Sequence, residues 1–446
     1  MVRERLILGG GVTGLAAGIA SGLPVFEAVE TPGGICSSYY VRPGDAERLS
    51  RNPADGETYH FEIGGGHWIF GGDPSVLRFI RKLTDVETYA RRSSVYFPET
   101  ELYVPYPLQN HLRFLNHGAA ERALAEMALP KSAIRTMREW MEQSFGSTLC
   151  EMFFFPFHEL YTSSLYKRIA PQDDYKSPVD LAIAIRGAFK DAASVGYNVT
   201  YVYPKEGLNT LAGRMAERCD VRYGKRVSQI DIENRAVLFS DGGSLPYESL
   251  ISTLPLNKML ELTGLAVDCE PDPYTSVLVL NIGAVRGKKC PDDHWLYVAN
   301  TSSGFHRVGF YSNVDRSFLP MSARSNQDRV SIYVERAYAN GQRPSKAEVE
   351  RYSNEVVSEL QQWGFIGEVE VNDPTWIDVA YTWSWPGSQW KPRALKLLEE
   401  NDISQVGRYG RWVFQGIADS IRDGFFVGAS LKDHQPIGTS SISTNV

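Results

Sequence analysis

"RLILGGGVTGLAAGIASGLPVFEAVETPGG", residues 5–34, opens on an apolar run that stops at three consecutive glycines. Leu6 to Leu8 read as a buried strand, Leu15 to Ala20 as a short Ala/Gly helix and Pro24 to Glu27 as a second strand, the start of an α/β fold. Gly9, Gly11 and Gly14 have dinucleotide-binding spacing. The first permits a tight turn, the second lets backbone approach a pyrophosphate, and the third lets the helix pack on the strand. The pyrophosphate would meet the helix N-terminus, where unpaired N–H groups and the dipole favour anions. Glu27 ends the second strand, where a carboxylate accepts ribose hydroxyls and disfavours a 2′-phosphate. A glycine that merely packs a helix closely is the plainer alternative.

At 446 residues, with 43% hydrophobic, 12% aromatic and 22% charged residues, the chain has the composition of a folded protein. It exceeds the roughly 100–200 residues one core organises, so two or three lobes are expected. A net charge of -7 without a long basic block argues against nucleic acid as a partner. Cys36, Cys150, Cys219, Cys269 and Cys290 form no CxxC pair, so neither a metal site nor a disulfide framework is expected. The start "MVRERLILGGG" lacks a signal-peptide pattern, and a cytoplasmic location is expected. No uncharged apolar run reaches about 18 residues, so no membrane insertion is expected. "CEMFFFPFHELYTS", 150–163, is interrupted by Pro156, His158 and Glu159, which leaves core or the wall of a site.

Residues 110–195 are rich in helix formers, and "AAERALAEMAL" and "IRTMREWMEQSF" have amphipathic spacing. From Asp220 onward short strands follow, with a hairpin at Asp241-Gly242-Gly243. Residues 270–395 alternate β-rich runs with one helical stretch at 346–362, which predicts a mainly antiparallel sheet forming the floor of a substrate domain. The tail, 406–431, reads as a loop followed by a helix suited to closing a dinucleotide site.

"TPGGICSSYY" (31–40) and "FEIGGGHWIFGG" (61–72) add glycine-rich segments that a dehydrogenase using only NAD does not need. Together with "VPYPLQNHL" (104–112), "REWMEQSFG" (138–146), "GYNVTYVYPKEGLNTL" (196–211), "HWLYVANTSSGFHRVGFYSN" (294–313) and "GRYGRWVFQ" (407–415), they resemble the UDP-galactopyranose mutases, closest to the eukaryotic type, within the amine oxidase FAD superfamily. The resemblance implies a Rossmann-like FAD-binding domain assembled from 1–100, 201–265 and 396–446, a helical insert at 101–200 and a sheet substrate domain at 266–395. It implies FAD, reduced for catalysis, with NAD(P)H or a reductase as electron source. The implied reaction interconverts pyranose and furanose forms of a nucleotide-linked sugar through a covalent flavin N5–sugar adduct, with no net redox change.

Carried over by position, the resemblance implies cofactor contacts from Gly9, Gly11, Gly14, Glu27, Gly33, Gly34, Gly65, Gly66, His67, Val227, Arg408, Asp419 and Ser420. It places Tyr106, Gln109, Trp140 and Trp295 on the substrate side, Asn198 near sugar and flavin, and Tyr297 and Arg307 on the diphosphate, and it implies that His67, Asn198, Tyr297, Arg307 and Arg408 are the catalytic residues. A planar arginine fork suits phosphate oxygens. Plainer readings stand beside these: His67 as a loop cap, Trp140 as core and Asp419 as a helix N-cap.

The chain also departs from the family. The helix-borne clamp arginine falls on Phe155, and two phosphate-binding tyrosines fall on Trp385 and Phe414. Lys131 and Thr136 stand where aromatic and amide groups are expected near the base. A lost charge-assisted bond to phosphate costs about 2 kcal/mol. His158, His306 and Lys131 are the candidates for restoring the charge. The alternative is an oxidoreductase of amine oxidase or protoporphyrinogen oxidase type, acting on a less anionic substrate; a non-catalytic flavin-binding module is a third.

Overall fold

The computed structural model describes residues 4–172, 179–190 and 199–432. The opening βαβ unit is strand Glu4–Leu8, helix Val12–Ser21 and strand Val25–Phe26. The helix begins earlier than the Leu15 start that propensity suggests. Val12, Thr13 and Gly14 are poor helix formers, but all three are buried and held helical by packing.

This unit nucleates a sheet ordered Val221–Arg222, Val25–Phe26, Glu4–Leu8, Ser244–Ser252, Ala236–Phe239, Val227–Asp231, with Ile403–Gln405 also pairing with Ser244–Ser252. Its inner pairings are parallel, whereas Ala236–Phe239 pairs antiparallel with both its neighbours. The expected hairpin at 241–243 joins Ala236–Phe239 to Ser244–Ser252, with Gly242 at φ +84°. Helix Ile417–Lys432 returns from the far end of the sequence to lie on Val12–Ser21. Gly424 and Gly428 make that approach possible, because a Cβ at either would press into the Thr13–Ala17 backbone.

The second sheet runs Ile366–Thr382, Tyr274–Arg286, Arg329–Ala339, Arg307–Phe310, Trp295–Val298, Ser93–Phe97, Leu102–Pro105 and is antiparallel except between Trp295–Val298 and Ser93–Phe97. Ser93–Phe97 and Leu102–Pro105 reach it from outside 266–395. The stretch expected to be helical at 346–362 is helix Lys346–Gln362, started by a Ser345/Glu348 capping box.

Between 117 and 189 lie helices His117–Met127, Met137–Leu149, Phe155–Tyr161 and Leu181–Phe189. Thr136 opens the second with a capping box to Glu139, and Gly146 breaks it at φ +77° where a Cβ would strike Glu126. The phenylalanine run then passes through a π-turn, Cys150–Phe154. That widened turn precedes Pro156, which sits in the first turn of the next helix, where its missing N–H costs little. Phe145 stacks on Phe154 at 3.9 Å and Phe153 on Phe157 at 5.2 Å, so much of the run is insert core. Among the described residues, no helix is long and apolar enough to cross a membrane.

Candidate functional site

The first turn positions its glycines distinctly. Gly9 takes φ +99°, a conformation L side chains rarely adopt, and its N–H donates to the Phe26 carbonyl at 2.9 Å. A Cβ on Gly14 would collide with the Gly9 carbonyl oxygen, so that glycine lets helix meet turn. Gly11 is different: a Cβ there would meet nothing nearer than the Gly33 carbonyl, at 3.9 Å. It is also the helix N-cap without a side-chain cap, which leaves the first-turn N–H groups open to an anion. Gly33 donates its N–H to the Gly10 carbonyl at 2.8 Å, laying the second glycine segment beside the first.

Glu27, 8% exposed, accepts from the Gly10 N–H at 2.6 Å and the Val29 N–H at 3.0 Å. Each of its oxygens keeps a lone pair for a further donor. These groups line a cleft of about 540 Å³ that runs between the two sheets toward Arg307 and Arg408.

At the inner end, Arg307 ion-pairs with Glu335, which faces it across neighbouring strands. Tyr297 faces Arg307 on the other side, as the reading of adjacent strands expects. Burial alone would raise the Glu335 carboxyl, but Arg307 and the nearby His306 overcome it and hold it at about 2. Arg408 has no carboxylate partner among the described residues. Its donors go to the Gln415 carbonyl at 3.0 Å and the Ala380 carbonyl at 3.1 Å, and Phe414 lies 4.5 Å beneath it. Burial, with Arg408 nearby, depresses His67 to about 4, so the ring is neutral near pH 7. Two guanidinium groups therefore face one carboxylate.

Arg307 Nε and His67 Nδ1 are buried and find no partner among the described residues. Buried orphan donors and acceptors are costly unless a ligand satisfies them. The open cradle at Gly11, the uncapped helix and these orphans fit a dinucleotide held in a cleft whose lining extends to Arg307.

The cleft brings together Gly9, Gly11, Glu27, Gly33, Gly34, Gly66, His67, Arg307, Arg408, Phe414 and Ser420 of the residues singled out in the sequence. Gly14 and Gly65 lie behind it; Gly65 packs against Glu335. Asp419 instead pairs with Arg422 at 3.2 Å near the surface, and Val227 sits outside the cleft on the nucleotide sheet. Trp295 is 2% exposed and packs edge-on against Phe70, which makes it core. Trp140 packs edge-on against Phe145, and Thr136 is committed to its capping box. Tyr106 packs tilted against Tyr297 with ring centres 4.8 Å apart, while Gln109 is buried in the turn that follows. Asn198 lies outside the described residues.

None of the three charge-restoring candidates supplies a free cation to the cleft. His158 Nδ1 contacts the Phe154 carbonyl at 2.7 Å, His306 is held below its usual range chiefly by burial, and Lys131 is exposed on a loop. Phe157 and Tyr161 cover the inner end instead, packing on Tyr297 at 5.6 Å and on Tyr381 at 4.9 Å. Sequence reading missed Glu335, Tyr381, Cys36 and Trp68, all on the cleft wall. Alternation within Arg329–Ala339 places Glu335 on the face of Tyr333, the one available signal for it.

A profile of flavin containing amine oxidoreductases matches residues 22–428. Among solved structures, the chain is similar to reduced UDP-galactopyranose mutase, with 21% identity and a TM-score of 0.79 over 96% of this chain and 95% of that one. It is similar to putrescine oxidase with bound putrescine at 16% identity and a TM-score of 0.53, over 96% and 98%. A fatty acid isomerase from P. acnes aligns at 13% identity and a TM-score of 0.57, over 95% and 97%.

Proposed function

We propose, for a chain that belongs to the flavin containing amine oxidoreductases, a mutase that interconverts pyranose and furanose forms of a nucleotide-linked sugar without net redox change. FAD is the cofactor. Bound in this cleft and reduced, it would supply an electron-rich centre for chemistry at an anomeric carbon.

One observation carries this reading: the cationic surplus of Arg307 and Arg408 over Glu335 beside a neutral His67. Developing negative charge on a departing diphosphate is stabilised by preorganised cations, whereas an ammonium substrate is repelled by them. Arg408, held by two carbonyls and an aromatic face, has no carboxylate partner among the described residues and can face an anion. Arg307 offers its Nε–H while Glu335 fixes the rest of the side chain. Phe157, Tyr161 and Tyr381 keep water from the inner end, which strengthens these interactions. Mutase is also the activity named for one solved structure that the chain resembles along 96% of its length.

A second reading is favoured by the Glu335 pairing itself, together with Phe155, Trp385 and Phe414: an FAD oxidoreductase acting on a less anionic substrate. The two part cleanly in one experiment. Dithionite-reduced enzyme is incubated anaerobically with a panel of nucleotide-linked furanoses and the products are separated by chromatography. Conversion to pyranose by reduced but not oxidised enzyme is expected. Absence of conversion, with bleaching of the oxidised flavin by an amine, would establish the oxidase.

A further inference from the structure

The positions that lose polar side chains relative to the resembled family are not left without charge. Arg138 lies over the ring of Phe155, with its guanidinium carbon 4.4 Å from the centroid, and Arg168 lies over Trp385 at 4.7 Å. We propose that these two arginines form an oxyanion site that takes the diphosphate of the substrate, a role resting on the nucleotide-sugar reading above.

The pair is built by backbone, not by chance collapse of long side chains. The Met137 N–H donates to the Ile169 carbonyl at 2.8 Å, so Arg138 and Arg168 leave the chain from adjacent points. The Ala170 N–H donates to the Ser384 carbonyl at 2.8 Å, which sets Trp385 alongside. Both aromatic shelves are fixed. Trp385 donates Nε1–H to the Pro271 carbonyl and its backbone N–H to Asp272, each at 3.0 Å, and Phe155 stacks on Tyr166 at 5.8 Å.

Stacking covers the flat face of a guanidinium and leaves its in-plane fork of N–H donors free. Several other stacked arginines commit that fork, Arg48 to Asp373, Arg222 to Asp220 and Arg307 to Glu335, while Arg336 and Arg408 give theirs to backbone carbonyls. Arg138 and Arg168 form no ion pair among the described residues. The neighbouring Lys167 differs again, being paired with Glu159 at 2.8 Å. Two exposed guanidinium forks that leave the chain from adjacent points and form no ion pair among the described residues, in a chain of net charge -7, match the oxygens of a diphosphate.

The place is also suitable. Trp385 lies four residues past Tyr381 of the cleft wall, at most ~13 Å of extended chain. A nucleotide-linked sugar with its ring at the inner end can bridge that interval.

Holoenzyme in the oxidised state is titrated with UDP, inorganic pyrophosphate and uridine, following tryptophan fluorescence and heat. UDP and pyrophosphate bind and uridine binds far more weakly. In Arg138→Gln and Arg168→Gln the Kd for UDP rises at least about tenfold each, and the double variant has a shallower salt dependence. Flavin absorbance and melting temperature stay as in the parent. Equal UDP affinity in parent and double variant, or no binding of either anion to the parent, overturns the proposal. Failure of the mutase reading looks different: UDP still binds through these arginines, but no nucleotide sugar is interconverted by reduced enzyme.

Discussion

At the scale of single residues, the pairing of Arg307 changes how that residue must be tested. Removing Arg307 leaves Glu335 as a buried carboxylate with only His306, itself held below its usual range, beside it, so Arg307→Ala is expected to lose ~3 kcal/mol of stability as well as activity. Arg307→Ala/Glu335→Gln removes both charges; its urea midpoint should recover toward the parent while turnover does not. A second buried carboxyl gives a pH signature. Burial lifts Glu62 to about 8, with hydrogen bonds from Tyr203 and Ser38 partly offsetting the rise. Between its ordinary value of 4.5 and about 8 the folded state keeps a proton that the unfolded chain has released. Stability contributed by Glu62 is therefore present at low pH and lost as pH rises through that window. Urea midpoints measured from pH 5 to 8 should fall more steeply in the parent than in Glu62→Gln.

At the scale of elements, the glycine turn separates binding from folding. Gly11→Ala puts a methyl into the open cradle, and the purified protein should carry much less flavin per chain by absorbance at an almost unchanged melting temperature. Gly14→Ala drives its methyl into the Gly9 carbonyl, so the melting temperature itself should drop sharply. These roles were legible because the GxGxxG spacing constrains backbone alone. The helix 155–161 was less legible. Its phenylalanine run reads as core from composition, and Phe153 and Phe154 are core, yet Phe155 faces Tyr166 and Arg138 while Phe157 and Tyr161 cover the inner cleft. Periodicity assigns faces to a helix but does not say what each face meets, and the π-turn at 150–154 shifts the register in between.

For the whole molecule, the cleft draws its walls from residues 9 to 420, so the bound cofactor joins segments that are distant in sequence. Stripping FAD should lower the melting temperature, and adding it back to about 100 times its Kd should restore ~2.7 kcal/mol, read as a concentration-dependent shift in calorimetry. The sequence by itself determined the βαβ opening, the hairpin at 241–243, the helix at 346–362 and the antiparallel character of the second sheet. Those depend on local spacing and on turn chemistry, which neighbours in the chain carry. Only the tertiary structure decided that Trp295 is core, that Asp419 turns to Arg422, that Glu335 neutralises Arg307, and that Arg138 and Arg168 rest on the aromatic rings at 155 and 385. Each is a contact between segments many residues apart, created when strands pair and helices dock, and no periodicity within a segment encodes its partner in space.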